Sequence, residues 1–177
     1  LLKVGVIDVP SFYQDFDAKV KGENDYRSTT KDVAKLINEL KQDHIDALVM
    51  DLRGNGGGHL SEATGLVGLF IPHGPAVQLK EANGHVEALP TPNDPPVWTG
   101  PLIVLVDRSS ASATEIFSGA IQDYGRGLII GQQTYGKGTV QNLYPLDRWT
   151  LGPGASFGEL TVTIGKYYRV TGDSVQN

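Results

Sequence analysis

Between the apolar run from Ile45 to Met50 and the helical spacing of Ala63, Leu66, Val67 and Phe70 lies Asp51-Leu52-Arg53-Gly54-Asn55-Gly56-Gly57-Gly58-His59. Four glycines in five positions build neither helix nor strand; they suit positive φ and close approach of backbone to a ligand. A buried strand therefore runs into a glycine loop, and the loop feeds a helix N-terminus whose unpaired N–H groups can face an anion. In open α/β sheets, ligands gather outside the carboxyl ends of strands, so this loop marks one wall of a site.

The rest of the chain repeats the pattern. Val4 to Val9 reads as a strand stopped by Pro10, and Lys19 to Thr30 as a polar, exposed loop. Val33, Leu36, Ile37 and Leu40 predict an amphipathic helix over 32–42, capped by Thr29 or Thr30. Leu60 to Ile71 reads as the helix after the glycine loop. Val77–Lys80 and His85–Leu89 flank Asn83-Gly84, the signature of a tight hairpin. Leu102 to Asp107 predicts a buried strand, and Ala113, Ile116, Phe117, Ala120 and Ile121 a helix that Gly125 or Gly127 stops. Leu128–Ile130 and Thr139–Leu143 read as short strands, residues 147–158 as a loop, and Leu160–Tyr168 as a last strand or hairpin arm. The sum is an α/β fold in one domain, with loops after Met50, Val106 and Ile130 converging on one place.

Composition narrows the function. The net charge of −5, with no basic stripe, argues against nucleic acid as a partner. The chain has no cysteine, hence no thiol nucleophile, disulfide or Cys-bound metal. No apolar run approaches the roughly 18 residues of a membrane span. The start at Leu1 and the polar end at Asn177 read as those of a fragment.

The serine corner, Asp107-Arg108-Ser109-Ser110-Ala111-Ser112, sits where the buried strand meets the next helix. Ser112 with Glu115 forms Ser-x-x-Glu, a capping box, so a cap is one reading and a nucleophile the other. Ser109 and Ser110 compete for either role. Acyl transfer also needs a base. His44, His73 and His85 lie in ordinary turns; His59 stands beside the glycines. Lys137, between Gly136 and Gly138, is the stronger candidate. A free lysine has a pKa of about 10.4, but burial can lower a lysine by roughly 3–5 units, enough to make it a base. If residues 137–141 are extended, Gln141 shares a face with Lys137 and can orient it. Asp123, near a helix end, either is solvated or pairs with Arg126.

Four of these stretches resemble the motifs of the carboxyl-terminal processing peptidases, family S41, in their tail-specific protease branch: Asp-Leu-Arg-Gly-Asn-Gly-Gly-Gly from Asp51, Ser-Ala-Ser-Ala-Thr-Glu-Ile-Phe from Ser110, Gln-Asp-Tyr-Gly-Arg from Gln122 and Gly-Lys-Gly-Thr-Val-Gln from Gly136. The resemblance runs from Gly5 to Gly172. It implies a ClpP/crotonase-like spiral of ββα units, with residues 1–177 forming a serine peptidase core without its PDZ domain and flanking helical regions. It further implies Ser112 as nucleophile, Lys137 as general base and Gln141 as its orienting partner. Ala113 and Gly57 would supply the oxyanion hole, and Asp123 a supporting role. The family needs neither ATP, cofactor nor metal, acts in the bacterial periplasm, and takes protein or peptide substrates by an unstructured, apolar carboxyl end. Gly54 stands where the family commonly has Asn, and His59 where it has a small or apolar residue. Two rival readings are a crotonase-like acyl-CoA enzyme and a non-catalytic peptide-binding module of the same fold.

Overall fold

A computed structural model of the chain describes residues 1–23, 25–92, 94–149 and 157–177. Four parallel strands, β1 (Val4–Asp8), β2 (Ala47–Asp51), β5 (Leu102–Val106) and β6 (Leu128–Gly131), form one sheet in the order β1-β2-β5-β6. Their register aligns Val6 with Val49, Val49 with Ile103, and Ile103 with Leu128. The second sheet is antiparallel. It contains β3 (Pro75–Glu81), β4 (Val86–Pro90), β7 (Thr139–Pro145) and β8 (Glu159–Tyr168) in the order β4-β3-β8-β7. The Asn83-Gly84 turn joins β3 to β4, and Gly84 takes φ +88°.

Helices α2 (Thr29–Gln42), α3 (Leu60–Gly68) and α4 (Ala113–Asp123) supply the other half of the core. Ile37, Leu66, Phe70, Phe117 and Ile121 pack with Leu48, Met50 and Val104, all essentially without exposure. Phe70 and Phe117 meet edge to face at 5.7 Å. The apolar runs of β2 and β5 predict strands buried on both faces. The structure instead alternates full with partial burial, because Val49, Ile103 and Leu105 point away from the helices.

Several boundaries differ from the sequence reading, and α3 stops at Gly68 where the spacing predicts helix to Ile71. The polar stretch after residue 19 is not loop throughout: a short helix, α1 (Phe16–Val20), occupies its beginning, with Asp15 accepting the Ala18 N–H at 3.0 Å. Helix α2 starts at Thr29 and is capped by Ser28, which accepts the Lys31 N–H. Thr29 is not the cap, since its hydroxyl donates to Ser11 O at 3.1 Å. The Thr30 N–H goes to Glu62, a buried carboxylate on α3, so one helix satisfies the open end of the other. Of the stretch read as a loop over 147–158, residues 150–156 lie outside the described residues.

Candidate active site

Three loops leave the parallel sheet at its carboxyl end and are stitched to one another. Asn55, fully buried, does much of the stitching. Its Nδ2 donates to Val9 O at 2.7 Å, and its Oδ1 accepts the Gly57 N–H at 2.8 Å. Its carbonyl accepts the Ala111 N–H and the Thr114 hydroxyl, both at 3.0 Å. The end of β1, the glycine loop and the serine corner are thereby held by one side chain and its own peptide. Asp107 adds a second link. Its carboxylate accepts the N–H groups of Gly54 at 3.0 Å and Ser109 at 2.9 Å. The Gly54 contact first, then those of Ser109 and Ser110, hold its pKa below the usual carboxylate value, against the effect of desolvation.

Glycine is required at Gly57, where φ is +99°. A methyl group there would lie 2.7 Å from Ala111 O and 2.9 Å from Ser112 Cβ, so the loop lies directly against the serine corner. At Gly58 a methyl group would meet Phe12 O at 2.1 Å.

The corner separates the three serines. Ser110 is fully buried; its hydroxyl donates to Leu52 O at 2.9 Å and accepts the Asp107 N–H at 2.9 Å. Ser109 is exposed. Ser112 lines a cleft of about 640 Å³ and has φ +57° and ψ −113°. A non-glycine residue in that conformation costs about 1–3 kcal/mol, and such strain clusters at functional sites. The capping relationship coexists with this placement: the Glu115 side chain accepts the Ser112 N–H at 2.8 Å.

Lys137 and Gln141 line the same cleft as Ser112 and Ala113, with Gly58 and His59 on the glycine-loop side. The spacing argument predicts a shared face from a regular extension. A β-bulge between Val140 and Gln141 interrupts that alternation, and both side chains border the cleft all the same. Leu79, Ile116, Val140 and Ile164 give the cleft an apolar wall. His59 presents its ring edge to Phe16 at 4.7 Å, whereas His44, His73 and His85 do not border the cleft.

The structure sets two expected site residues apart. Gly57 touches the corner, but its N–H is already committed to Asn55. Among the described residues the Gly58 and Ala113 N–H groups have no protein acceptor, and both residues line the cleft. Asp123 sits at the far end of α4, where it pairs with Arg169 rather than bordering the cleft.

Other contributors escaped the motif reading. Glu115 is buried and accepts four hydrogen bonds: from Ser112 N, Thr134 Oγ1 at 2.7 Å, Gly136 N at 2.7 Å and Lys137 N at 2.9 Å. Its capping-box position was visible in the sequence; its distant partners were not. Among the described residues no group of His, Cys, Asp or Glu is arranged to hold a metal ion, and no helix is long and apolar enough to cross a membrane.

A strained serine at a strand-to-helix corner, open amides beside it and a lysine lining the same cleft are parts that a hydrolase working through a serine nucleophile needs. Comparison with known proteins narrows the class. The model of "Peptidase family S41" matches residues 3–177. A tail-specific protease of Haemophilus influenzae is 43% identical over 179 residues, covering 98% of this chain and 23% of that protein. A carboxyl-terminal-processing protease of Synechocystis sp. is 35% identical over 137 residues, covering 77% of this chain and 30% of that protein. Among solved structures, a photosystem II D1 C-terminal processing protease superposes with a TM-score of 0.75 at 26% identity, covering 98% of this chain and 39% of that one. The chain belongs to peptidase family S41. It spans less than a third of the length of those two sequence relatives.

Proposed function

We propose that the chain is the proteolytic core of a serine endopeptidase with a Ser112–Lys137 dyad. The observation that carries this reading is Ser112 at positive φ beside Ala113, in a cleft that Lys137 and Gln141 also line. Ser112 Oγ attacks the scissile carbonyl carbon while Lys137 takes the hydroxyl proton and later gives it to the leaving amine. The Ala113 and Gly58 N–H groups receive the oxyanion, and the Gln141 side chain orients the ammonium. Water then repeats the sequence on the acyl-enzyme. In this reading Gly57 serves by letting the loop approach Ser112, and Asp123 supports the site from a distance through Arg169.

The apolar wall of the cleft suits protein or peptide substrates that enter by an unstructured, apolar carboxyl end. The names of the relatives point the same way: one is tail-specific, others process carboxyl termini. The compartment reading, the bacterial periplasm, rests on the family resemblance alone. The test is turnover of a quenched-fluorescent peptide with an apolar carboxyl end by the intact protein that carries these residues. Ser112→Ala should abolish cleavage with the fold preserved. Unchanged turnover overturns the assignment.

A further inference from the structure

Lys137 stands between two glycines, the most permissive backbone setting available, yet a general base must hold its nitrogen within hydrogen-bond reach of its target. Both of its peptide groups are fixed by buried side chains. The N–H is taken by Glu115 at 2.9 Å. The carbonyl accepts the phenol O–H of Tyr167 at 2.6 Å, and among the described residues that phenol is its one donor. Tyr167 is 2% exposed and borders the cleft, and its own N–H donates to Gly138 O at 2.9 Å. The same hydroxyl oxygen lies 3.1 Å from Ser112 O. A phenol carries one proton, and Ser112 O already accepts the N–H groups of Glu115 at 2.8 Å and Ile116 at 3.0 Å. The proton therefore belongs to Lys137 O, and the phenol spans the two corners that carry the dyad.

We infer that Tyr167 is a positioning residue for the Ser112–Lys137 dyad: its hydroxyl fixes the Lys137 backbone against the Ser112 corner and so sets the reach of the lysine. This rests on the dyad reading above. Glu115 holds one side of the Lys137 peptide frame and Tyr167 the other, which leaves the side chain as the remaining freedom. Without the phenol proton, Lys137 O is an unsatisfied acceptor beside Gly138, and the strand can rotate away to find water.

Tyr167→Phe keeps the ring and its packing and removes the proton. In the intact protein it should lower kcat by about 10–100-fold, the scale of a displacement on the order of 1 Å, while KM changes far less. Loss of packing alone would lower the melting temperature and leave kcat of the folded enzyme unchanged. Ser112→Ala run alongside separates the failures. Turnover that survives Ser112→Ala overturns the dyad reading and this inference with it. Turnover abolished in Ser112→Ala but with kcat unchanged in Tyr167→Phe overturns this inference alone. If Tyr167→Phe does not fold, 3,5-difluorotyrosine at position 167 preserves ring and hydroxyl but ionises at lower pH. Turnover relative to the unmodified enzyme should then fall as pH rises, and an unchanged ratio overturns the proposal.

Discussion

Glu115 accepts the backbone N–H of Lys137 at 2.9 Å with the same carboxylate oxygen that accepts the N–H of Ser112 at 2.8 Å. One buried oxygen thus fixes the distance between the backbone of the candidate nucleophile and that of the candidate base. Its partner oxygen takes Thr134 Oγ1 and Gly136 N. Glu115 does not itself line the cleft, so it acts through the two lining residues it holds.

Glu115→Gln puts an amide NH₂ where an oxygen accepted two donors. Two of four hydrogen bonds are lost and donors face one another. Hydrogen bonds to a charged group are worth about 1.5–3 kcal/mol each, so the variant should lose at least about 3 kcal/mol of stability. Urea denaturation measures it. Turnover should fall even at temperatures where the variant is folded, since the Ser112 and Lys137 corners are no longer tied.

The three serines of the corner should give three different results. Ser109→Ala should leave stability and turnover unchanged, because Ser109 is exposed and its hydroxyl has no described partner. Ser110→Ala leaves the Asp107 N–H without its acceptor and takes one of two donors from Leu52 O, and should cost about 1–3 kcal/mol. Ser112→Ala should preserve the melting temperature while ending turnover. Equal loss of activity in all three would mean that the corner is a structural cap and nothing more.

Gly57→Ala tests the contact between the glycine loop and the corner. Its methyl group would sit 2.7 Å from Ala111 O and 2.9 Å from Ser112 Cβ, on a backbone at φ +99°. Neither neighbour is a flexible side-chain end, so the loop must withdraw and take the Gly58 N–H with it. Turnover should drop by about 10²–10³, the cost of losing one oxyanion donor, while KM changes little.

Much of this site was legible in the sequence, and the limits are physical. The glycine run could hardly be chosen for anything except positive φ and close approach, and Gly54, Gly57 and Gly58 all have positive φ. The helix after Ser112 follows from apolar spacing, and its stop at Gly125, at φ +59°, follows from glycine's freedom there. What the sequence concealed was which N–H group was already occupied. Asn55 stands in the glycine run with nothing local to mark its role, yet its buried side chain takes the Gly57 N–H and leaves Gly58 as the open donor. Tyr167 reads as one of an alternating strand, because a hydrogen bond to a carbonyl 30 residues away leaves no local pattern. Asp123 reads equally well as a site residue or a surface charge; its partner proved to be Arg169, in a different element.

That pair makes its own prediction. The Asp123 carboxylate is 4% exposed and Arg169 is 26% exposed, so removing the acid strands a partly buried guanidinium. Arg169 follows closely on Tyr167, so the chain at the end of β8 meets α4 near both ends of the helix, Tyr167 lying against Ser112 and Arg169 pairing with Asp123. Asp123→Ala should cost about 3 kcal/mol, and Asp123→Ala combined with Arg169→Ala should cost less than the sum of the single changes. Turnover per folded molecule should fall modestly with an unshifted pH profile, because the pair supports the strand and not the proton transfer.

The last expectation concerns alkaline stability. Burial, and then the charge of Glu115, raise the pKa of the Tyr167 phenol above its ordinary value of 10.0. The folded chain therefore binds this proton more tightly than the unfolded chain does. The sign follows: the contribution is fully present below about pH 10 and is lost progressively as pH rises beyond it, because the unfolded phenol ionises while the folded one resists. Urea denaturation at intervals from neutral pH to about pH 11 should show stability falling steeply in the last part of that range. The comparison that isolates Tyr167 is the difference between the wild-type curve and that of Tyr167→Phe. The difference should be constant up to about pH 10 and shrink above it. A difference that stays constant throughout would mean that the phenol gives up its proton as readily in the folded chain as in the unfolded one, and that it is not sealed between Lys137 and Ser112.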